Sequence, residues 1–259
     1  LRRVPQAQFA HIKVPLGPPD SRYVYLSDVV PTAWQAVVYA DIPDGGSVTV
    51  LGLGPIGDMA ARIATHLGYD VIAVDRVPER IARASARGIR TVNFDALDTT
   101  VGDAIRDMTG GRGTDSVIDA VGMEAHGSPV AQAAQRLTAL LPDAVAKKMM
   151  QTAGVDRLDA LYSAIDIVRR GGTISLIGVY GGMADPMPML TLFDKQIQLR
   201  MGQANVKRWV DDIMPLLSDD DPLGVDTFAS HTLTLDEAPH AYDIFQKKKD
   251  GAVKIVLTP

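Results

Sequence analysis

The sequence contains no cysteine, and this absence limits the chemistry that the chain can support by itself. Disulfide bonds are excluded, and any metal site within the chain has to use histidine, aspartate or glutamate. The histidines show no spacing typical of metal ligands, so each is interpreted as a surface or hydrogen-bonded core residue: His11, His66, His126, His231 and His240. No complete metal site is therefore visible in the sequence.

Long apolar runs and long basic runs are also missing. No apolar stretch reaches the roughly 18 to 20 residues that a membrane-spanning helix needs, and the N-terminal LRRVPQAQF lacks the apolar core of a signal peptide. The net charge is −5, and the KKK at 247–249 is followed at once by Asp250, which is typical of a solvated helix end. We therefore expect a cytoplasmic protein that binds neither a membrane nor nucleic acid.

The most regular feature that is present is an alternation of strand-like and helix-like segments after residue 45. The helical segments GDMAARIATHLG, PERIARASARG and VGDAIRDMTGG each run into glycine, as helices do where the chain reverses. Strands separated by helices predict an α/β fold with a doubly wound parallel (Rossmann) sheet. The predicted strands are 48–52, 71–75, 91–94, 116–122, 173–178 and 197–202.

This spacing is interrupted between Val121 and Gly171, where about 50 residues stand in place of a single crossover helix. The stretches VAQAAQRLTALL and RLDALYSAIDIVRR predict a helical insertion at about residues 123–166. The first stretch has too many apolar positions to stand alone in water. The insertion is therefore expected to pack over a bound cofactor or against an adjacent subunit.

The two ends of the chain differ from the alternating core. Residues 1–26 and 226–234 are strand-like, and LDEAPHAYDIFQKKKDGAVKIVLTP predicts a helix followed by a closing strand. Both ends are expected to belong to a second, mostly β domain. The strand-like opening at Leu1 indicates a piece that begins partway through that domain.

A glycine-rich loop follows the first predicted strand in VTVLGLGPIG, and Pro55 and Ile56 complete it. Gly52 permits the tight turn, Gly54 lets the backbone approach a pyrophosphate, and Gly57 allows the helix to pack closely on the strand. The N–H groups at the helix start then face the phosphates with a favourable dipole. The alternative is that these glycines serve only the packing of helix on strand.

Asp75 ends the next predicted strand, and this position favours dinucleotide binding over the packing alternative. Its carboxylate is expected to accept hydrogen bonds from the adenosine ribose hydroxyls. A carboxylate there repels a 2′-phosphate, so NAD is favoured over NADP, although the adjacent Arg76 softens this preference. The predicted cofactor is therefore NAD.

Together with these motifs, SDVVPTAWQA before the sheet, RGGTISLIGVYGG at a late strand and the C-terminal LDEAPHAYDIFQKKKDGAVKIVLTP resemble the zinc-containing medium-chain alcohol dehydrogenases. The insertion after DAVGMEAHG is more similar to the glutathione-independent formaldehyde dehydrogenase branch. The resemblance implies a GroES-like catalytic domain interrupted by a dinucleotide-binding domain. It divides the chain into the end of the catalytic domain at 1–40, the Rossmann domain at 41–225 and a return to the catalytic domain at 226–259.

The resemblance also implies a zinc ion, for which the family takes a cysteine and a histidine from a region that would lie upstream of Leu1. Asp28 matches the third zinc ligand, and Thr32 matches a hydroxyl near the nicotinamide that serves catalysis. The alternative for Asp28, or for Ser27, is a cap on the helix that begins near Pro31. Thr32 has the corresponding alternative of an ordinary helix-start residue.

Further cofactor contacts follow from the resemblance. Arg80 matches a cation that reaches the adenosine ribose, and Lys254 matches a basic residue that reaches the pyrophosphate. The alternatives are a helix ion pair for Arg80 and an exposed strand charge for Lys254. The residues that match the nicotinamide pocket have types that would also suit any buried strand: Ala120, Val121, Gly122, Ile177, Gly178 and Val179.

The function implied by these matches is hydride transfer between NAD and a small alcohol or aldehyde hydrate, with zinc polarising the substrate oxygen. In the intact enzyme this chain would supply NAD binding and one zinc ligand, and a homo-oligomer is expected. The chain alone is not expected to catalyse the reaction. The rival hypotheses are a non-catalytic NAD-binding remnant and a zinc-free quinone reductase of the same superfamily.

Overall fold

A computed structural model describes residues 5–122, 158–180 and 186–259, and the first described elements are helical. Residues 5–26 were expected to be strand-like, but they contain two short helices, α1 (Ala7–Ala10) and α2 (Asp20–Tyr23), and a 3-10 turn at Val24–Ser27. Tyr23, Tyr25 and Leu26 are buried in the core instead. A strand would need a neighbouring strand to pair its backbone N–H and C=O groups. The short helices and the 3-10 turn form such hydrogen bonds within the segment instead.

The central element is a six-stranded parallel sheet in the order β3-β2-β1-β4-β5-β6. This is the doubly wound order that the alternation predicted, so the Rossmann fold is confirmed. The inner strands are buried along their whole length, which explains their continuous β-branched character. The strands are β1 (Ser47–Leu51), β2 (Asp70–Asp75), β3 (Arg90–Asn93), β4 (Thr114–Asp119), β5 (Val168–Leu176) and β6 (Gln198–Met201).

Helices cover both faces of this sheet. The helix α3 (Val29–Ala40) leads into β1, and α4 (Pro55–His66), α5 (Pro78–Ser85) and α6 (Val101–Met108) follow β1, β2 and β3. Pro55 and Pro78 stand in the first turns of α4 and α5, where the missing N–H has no consequence. The chain leaves α4, α5 and α6 through glycines with positive φ, as the sequence predicted: Gly68, Gly88 and Gly110.

The crossover from β4 to β5 contains α7 (Asp159–Ile167). Its buried residues Leu161, Ala164 and Ile165 lie in the core of one sheet face, and Asp166 forms an ion pair with Arg106 of α6 at 3.0 Å. The C-terminal end of the predicted insertion therefore forms α7, the crossover helix between β4 and β5. The rest of the insertion, residues 123–157, lies outside the described residues, and its packing stays a prediction.

The C-terminal part consists of α8 (Met189–Lys195), α9 (Val210–Ile213), β7 (His231–Thr234), α10 (Ala238–Gln246) and β8 (Ile255–Thr258). The predicted helix followed by a closing strand is thereby confirmed. Strands β7 and β8 pair in parallel as a separate two-stranded sheet. The segment before β7 is fastened to the Rossmann core by Phe228, whose ring lies 5.1 Å from the Arg62 guanidinium and 5.3 Å from that of Arg83.

Across the described ranges, none of the helices combines the length and the apolar character that crossing a membrane requires.

Candidate cofactor-binding site

The glycine loop between β1 and α4 has two glycines that the fold itself requires. Gly52 has a φ of 85°, and a Cβ there would lie 2.7 Å from the Val121 side chain. A Cβ on Gly57 would lie 1.8 Å from the Gly52 carbonyl oxygen, so no side chain fits between helix and loop. These two positions explain the strand-to-helix packing.

Gly54 differs from them because no packing contact within the described residues requires it. It has an ordinary φ of −63°, and a Cβ there would meet only the Arg80 guanidinium, at 3.7 Å. The loop therefore presents bare backbone at this point, a cradle that a Cβ would fill. The first-turn N–H groups of α4 have no partner within the helix, and Gly54 carries no side chain to cap them. This combination fits a phosphate group.

Asp75, at the end of β2, contacts the same loop. Its buried carboxylate accepts the Leu53 N–H at 2.5 Å and the N–H groups of Arg76 and Val77 at 2.7 Å and 2.8 Å. An ionised carboxylate has about four acceptor sites, so capacity for a ribose hydroxyl remains. Asp75 thus fastens the glycine loop, a role that the sequence did not reveal.

Arg80 lies beside both features. Its Nη1 is 3.9 Å from the Asp75 carboxylate, and its Nε is buried with no hydrogen-bond partner in the described structure. Arg80 thus pairs with Asp75 of the preceding strand, and not with a residue of its own helix as the alternative expected. An unpartnered buried donor next to bare loop backbone fits an oxygen-rich ligand such as a ribose phosphate.

Arg76 is held by residues that follow β3. Its guanidinium donates to the Asp95 carboxylate at 2.6 Å and lies 5.6 Å from the centre of the Phe94 ring. Hydrogen bonding to Asp95 raises the pKa of Arg76, and the same contact lowers the pKa of Asp95. Arg76 is therefore directed toward Asp95 and Phe94 in this structure.

The connections after β4 and β5 meet at the carboxyl edge of the sheet, so the six residues matched to the nicotinamide pocket are brought together. A Cβ on Gly122 would lie 2.5 Å from the Val179 nitrogen, and one on Gly178 would lie 2.3 Å from the Gly122 nitrogen. Ala120, Val121 and Ile177 are half-buried, whereas Val179 is 76% exposed. The two connections thus touch through bare backbone.

Asp119, the last residue of β4, holds these two connections together and was missed by the sequence reasoning. Its carboxylate accepts the N–H groups of Val121 and Gly122 at 2.9 Å and 3.2 Å and the hydroxyl proton of Tyr180. Burial raises the pKa of the Asp119 carboxyl, which these donors oppose. Burial and the adjacent Asp119 charge also raise the pKa of Tyr180, so its hydroxyl stays protonated at neutral pH.

Asp28 and Thr32 lie at the start of α3. The Thr32 hydroxyl donates to the Asp28 carboxylate at 2.9 Å, while Asp28 is exposed and makes no capping hydrogen bond. Ser27 donates to the Val24 carbonyl oxygen instead of capping the helix. The capping alternative is thus absent, and the candidate ligand and the candidate catalytic hydroxyl contact each other.

Lys254 directly precedes β8. Its backbone is held by Ser230, whose N–H donates to the Lys254 carbonyl oxygen at 2.8 Å and whose hydroxyl oxygen accepts the Lys254 N–H at 3.2 Å. Its half-buried side chain has no hydrogen bond or ion pair to the residues that the structure describes. The ammonium group is therefore available to a ligand.

Comparison with known proteins gives the wider relationship. A protein-family model described as zinc-binding dehydrogenase matches residues 55–139. An uncharacterized zinc-type alcohol dehydrogenase-like protein of Bacillus subtilis is 35% identical over 263 residues, covering 99% of this chain and 65% of that protein. The chain is a relative of the zinc-type alcohol dehydrogenases. The resemblance inferred from the sequence motifs is confirmed.

Two further comparisons agree with this relationship. A glutathione-independent formaldehyde dehydrogenase of Pseudomonas aeruginosa is 28% identical over 268 residues, covering 99% of this chain and 63% of that protein. The solved alcohol dehydrogenase TADH from Thermus sp. ATN1 superposes with a TM-score of 0.76 at 29% identity, covering 96% of this chain and 61% of that chain. The chain therefore spans less than two thirds of the length of these relatives.

The metal donors can be compared with what a zinc-type enzyme needs. A catalytic zinc site normally has three protein ligands and one open position. Among the described residues, no group of three or more histidine, cysteine, aspartate or glutamate side chains lies close enough to hold a metal ion. Asp28 is accordingly one candidate ligand without companions in this part of the chain, so the donor set does not fit a complete zinc site.

Proposed function

We propose that this chain binds NAD as the dinucleotide-binding part of a zinc-type alcohol dehydrogenase. In the intact enzyme, hydride would pass between NAD and a small alcohol or aldehyde hydrate. The observation that carries the proposal is the bare backbone at Gly54. It is framed by the first turn of α4, the Asp75 carboxylate and the buried Arg80 Nε, which has no hydrogen-bond partner among the described residues. The loop backbone suits a pyrophosphate, and Asp75 and Arg80, which follow the loop in the sequence, suit a ribose.

The individual cofactor contacts are part of the same proposal. Gly52, Gly54, Pro55, Ile56 and Gly57 form the loop that receives the pyrophosphate, and Lys254 approaches the phosphates from the C-terminal segment. The ribose hydroxyls bind Asp75 and Arg80. The nicotinamide lies against the connections after β4 and β5.

Selectivity for NAD over NADP follows from charge. The Asp75 carboxylate repels a 2′-phosphate, and the softening effect expected of Arg76 is reduced because its guanidinium is engaged by Asp95. A 2′-phosphate would have to compete with that ion pair. NAD therefore remains the favoured cofactor.

Zinc chemistry belongs to the intact parent enzyme in this proposal. When bound, zinc would act as a Lewis acid toward the substrate oxygen. Asp28 would be one ligand, and the Thr32 hydroxyl that donates to it would lie near the nicotinamide. Because the described donors do not complete the site, no catalytic step is assigned to this chain.

Four sequence-based expectations remain predictions. These are the three-part domain division at residues 40 and 225, the packing of the insertion, the cytoplasmic location and the homo-oligomeric state. A non-catalytic NAD-binding remnant would keep the same cofactor contacts without the metal. A zinc-free quinone reductase is disfavoured by Asp28 and by the GLGPIG loop.

Calorimetric titration with NAD and with NADP tests the proposal directly. We expect NAD to bind more tightly, and Asp75→Ala to weaken NAD binding by about 1–3 kcal/mol, the usual cost of unsatisfied hydrogen-bond partners. Asp70→Ala is the matched control, because Asp70 begins the same strand and pairs with Arg90 on the exposed surface. No binding of either nucleotide to the folded chain would reject the proposed function. Tighter binding of NADP would reject only the role of Asp75.

A further inference from the structure

The carboxyl edge of the sheet contains a buried acidic group that the cofactor contacts above do not use. Asp119 is completely buried, and its backbone carbonyl oxygen accepts the N–H groups of Ile177 and Gly178 at 3.0 Å and 2.8 Å. Its carboxylate accepts three more hydrogen bonds, from Val121, Gly122 and Tyr180. One residue of β4 thus contacts both connections of the pocket edge.

A buried carboxylate is an unfavourable way to join two loops if stability alone is considered. Removing a charge from water is expensive, and well-packed apolar residues often stabilise a core as well or better. What the carboxylate adds is direction, because each hydrogen bond defines the position of one backbone N–H or one hydroxyl. The arrangement therefore defines geometry at the place where ligands of this fold bind.

The contacts around it show which geometry is held. Gly122 and Gly178 touch through backbone atoms, at distances that leave no room for a side chain on either residue. Small displacements of one connection would therefore displace the other. Tyr180 follows Val179 in the second connection and fixes it through the hydrogen bond from its hydroxyl to Asp119. Val179 itself is largely exposed. The backbone of residues 120–122 and 177–179 is thus held on both sides by the Asp119 contacts.

We propose that Asp119 and Tyr180 are positioning residues that hold these two connections in the shape that receives the nicotinamide end of the dinucleotide. This inference rests on the proposed function, because it concerns the same bound cofactor. The pair does not contact the adenosine half of the site, which is formed by Gly54, Asp75 and Arg80. Disturbing the pair should therefore affect one half of the ligand and leave the other half unaffected.

Two ligands separate these halves. NADH contains both nucleotides, whereas ADP-ribose keeps the adenosine and pyrophosphate and lacks the nicotinamide. In Tyr180→Phe, which removes one hydroxyl, and in Asp119→Asn, which removes the charge, we expect NADH affinity to fall about tenfold, as for the loss of a hydrogen bond to a charged group. ADP-ribose affinity should stay within about twofold of the wild-type value. The affinity ratio is the decisive readout, because a general loss of folding would weaken both ligands.

Asp115→Asn is the matched control. Asp115 is a buried aspartate on the same strand and also accepts a backbone N–H, from Ser47, but it lies at the opposite end of β4. Asp115→Asn protein that circular dichroism shows to be folded should keep the wild-type ratio of NADH affinity to ADP-ribose affinity. Equal weakening of both ligands in Tyr180→Phe, or no change in NADH affinity, would overturn the inference. A wild-type chain that binds neither ligand would instead reject the proposed function, and the inference with it.

Discussion

Gly54 and Gly57 lie three residues apart in one loop but have different surroundings. A Cβ at position 57 would collide with the Gly52 carbonyl oxygen, whereas one at position 54 would meet only the end of the flexible Arg80 side chain. The sequence pattern assigns both glycines to a single motif. The motif already predicts a different role for each, a backbone approach to the pyrophosphate at Gly54 and close helix packing at Gly57. The position of α4 against β1 shows why, of the two, position 57 lacks room for a Cβ.

Alanine substitution should therefore separate packing from binding. Gly57→Ala is expected to destabilise the fold by about 1–3 kcal/mol or more, because the helix has to move away from the loop. Gly54→Ala is expected to change stability by less than about 1 kcal/mol, since its backbone conformation suits alanine. The methyl group at position 54 should still weaken NAD binding by about 1–3 kcal/mol by overpacking the pyrophosphate contact.

Urea unfolding and calorimetric titration of the two variants measure these effects side by side. Unchanged NAD affinity in Gly54→Ala would mean that the pyrophosphate does not approach this backbone. A Gly57→Ala protein as stable as the wild type would contradict the packing role.

At the scale of elements, Asp115 joins β4 to the start of β1 and to β5. Its carboxylate accepts the Ser47 N–H at 2.8 Å and a hydrogen bond from Arg169 at 2.6 Å. Burial would raise the pKa of Asp115, but Ser47, Arg169 and Arg112 outweigh it and hold the pKa well below its usual range. The ionised form therefore stabilises the amino end of the sheet.

The pH dependence of stability follows from this shift. A carboxyl group whose pKa is lowered in the folded state stabilises the protein above its unfolded pKa, and the contribution is lost as the pH falls toward the folded pKa. Asp115→Asn should cost about 1–3 kcal/mol at pH 7, because buried donors lose their charged acceptor. The difference from wild type should narrow as the pH falls below about 4.

Urea unfolding at pH 7, 5 and 3 is the corresponding measurement. Asp107→Asn provides the control, since Asp107 is an exposed aspartate of α6, and its difference from wild type should stay near zero at every pH. A gap for Asp115→Asn that widens toward acid would show that the sign of the assigned shift is wrong.

At the scale of the whole molecule, the metal site is the feature that the described residues leave incomplete. Asp28 is exposed and contacts Thr32, without two further donors nearby in the described ranges. A single carboxylate does not hold zinc tightly. We expect the 259-residue chain to bind no stoichiometric zinc and to form no NADH when alcohol and NAD are supplied.

Elemental analysis and an absorbance assay for NADH check this expectation. Adding an upstream segment that carries the remaining zinc ligands should restore both zinc and alcohol oxidation, and Asp28→Ala should abolish them again. Thr65→Ala, which removes the hydroxyl of an exposed residue near the C-terminal end of α4, would serve as a control in the extended protein. Stoichiometric zinc together with alcohol-dependent NADH formation by the original chain would mean that the ligands have been misidentified.

The sequence predicted the alternating part of the molecule much better than its ends. Strands β1 to β6 and helices α4 to α6 appear where β-branched runs and glycine-terminated segments indicated them. The segment at 5–26 was wrongly expected to be strand-like, because its short apolar runs and prolines suit either a strand edge or helical turns. Burial of Tyr23, Tyr25 and Leu26 against the Rossmann core favoured the turns.

By itself, the sequence determined the order of the elements, the parallel sheet and the position of the glycine loop. These features depend on local periodicity and on glycine spacing, which neighbouring residues carry. Only the tertiary structure decided that Asp75 meets Leu53 and that Asp119 meets Tyr180, 61 residues later. Such pairs depend on strand order, which places β2 and β4 on either side of β1 and brings β5 next to β4. Periodicity specifies which residues are buried, but the assembled sheet selects the partners that satisfy their polar groups.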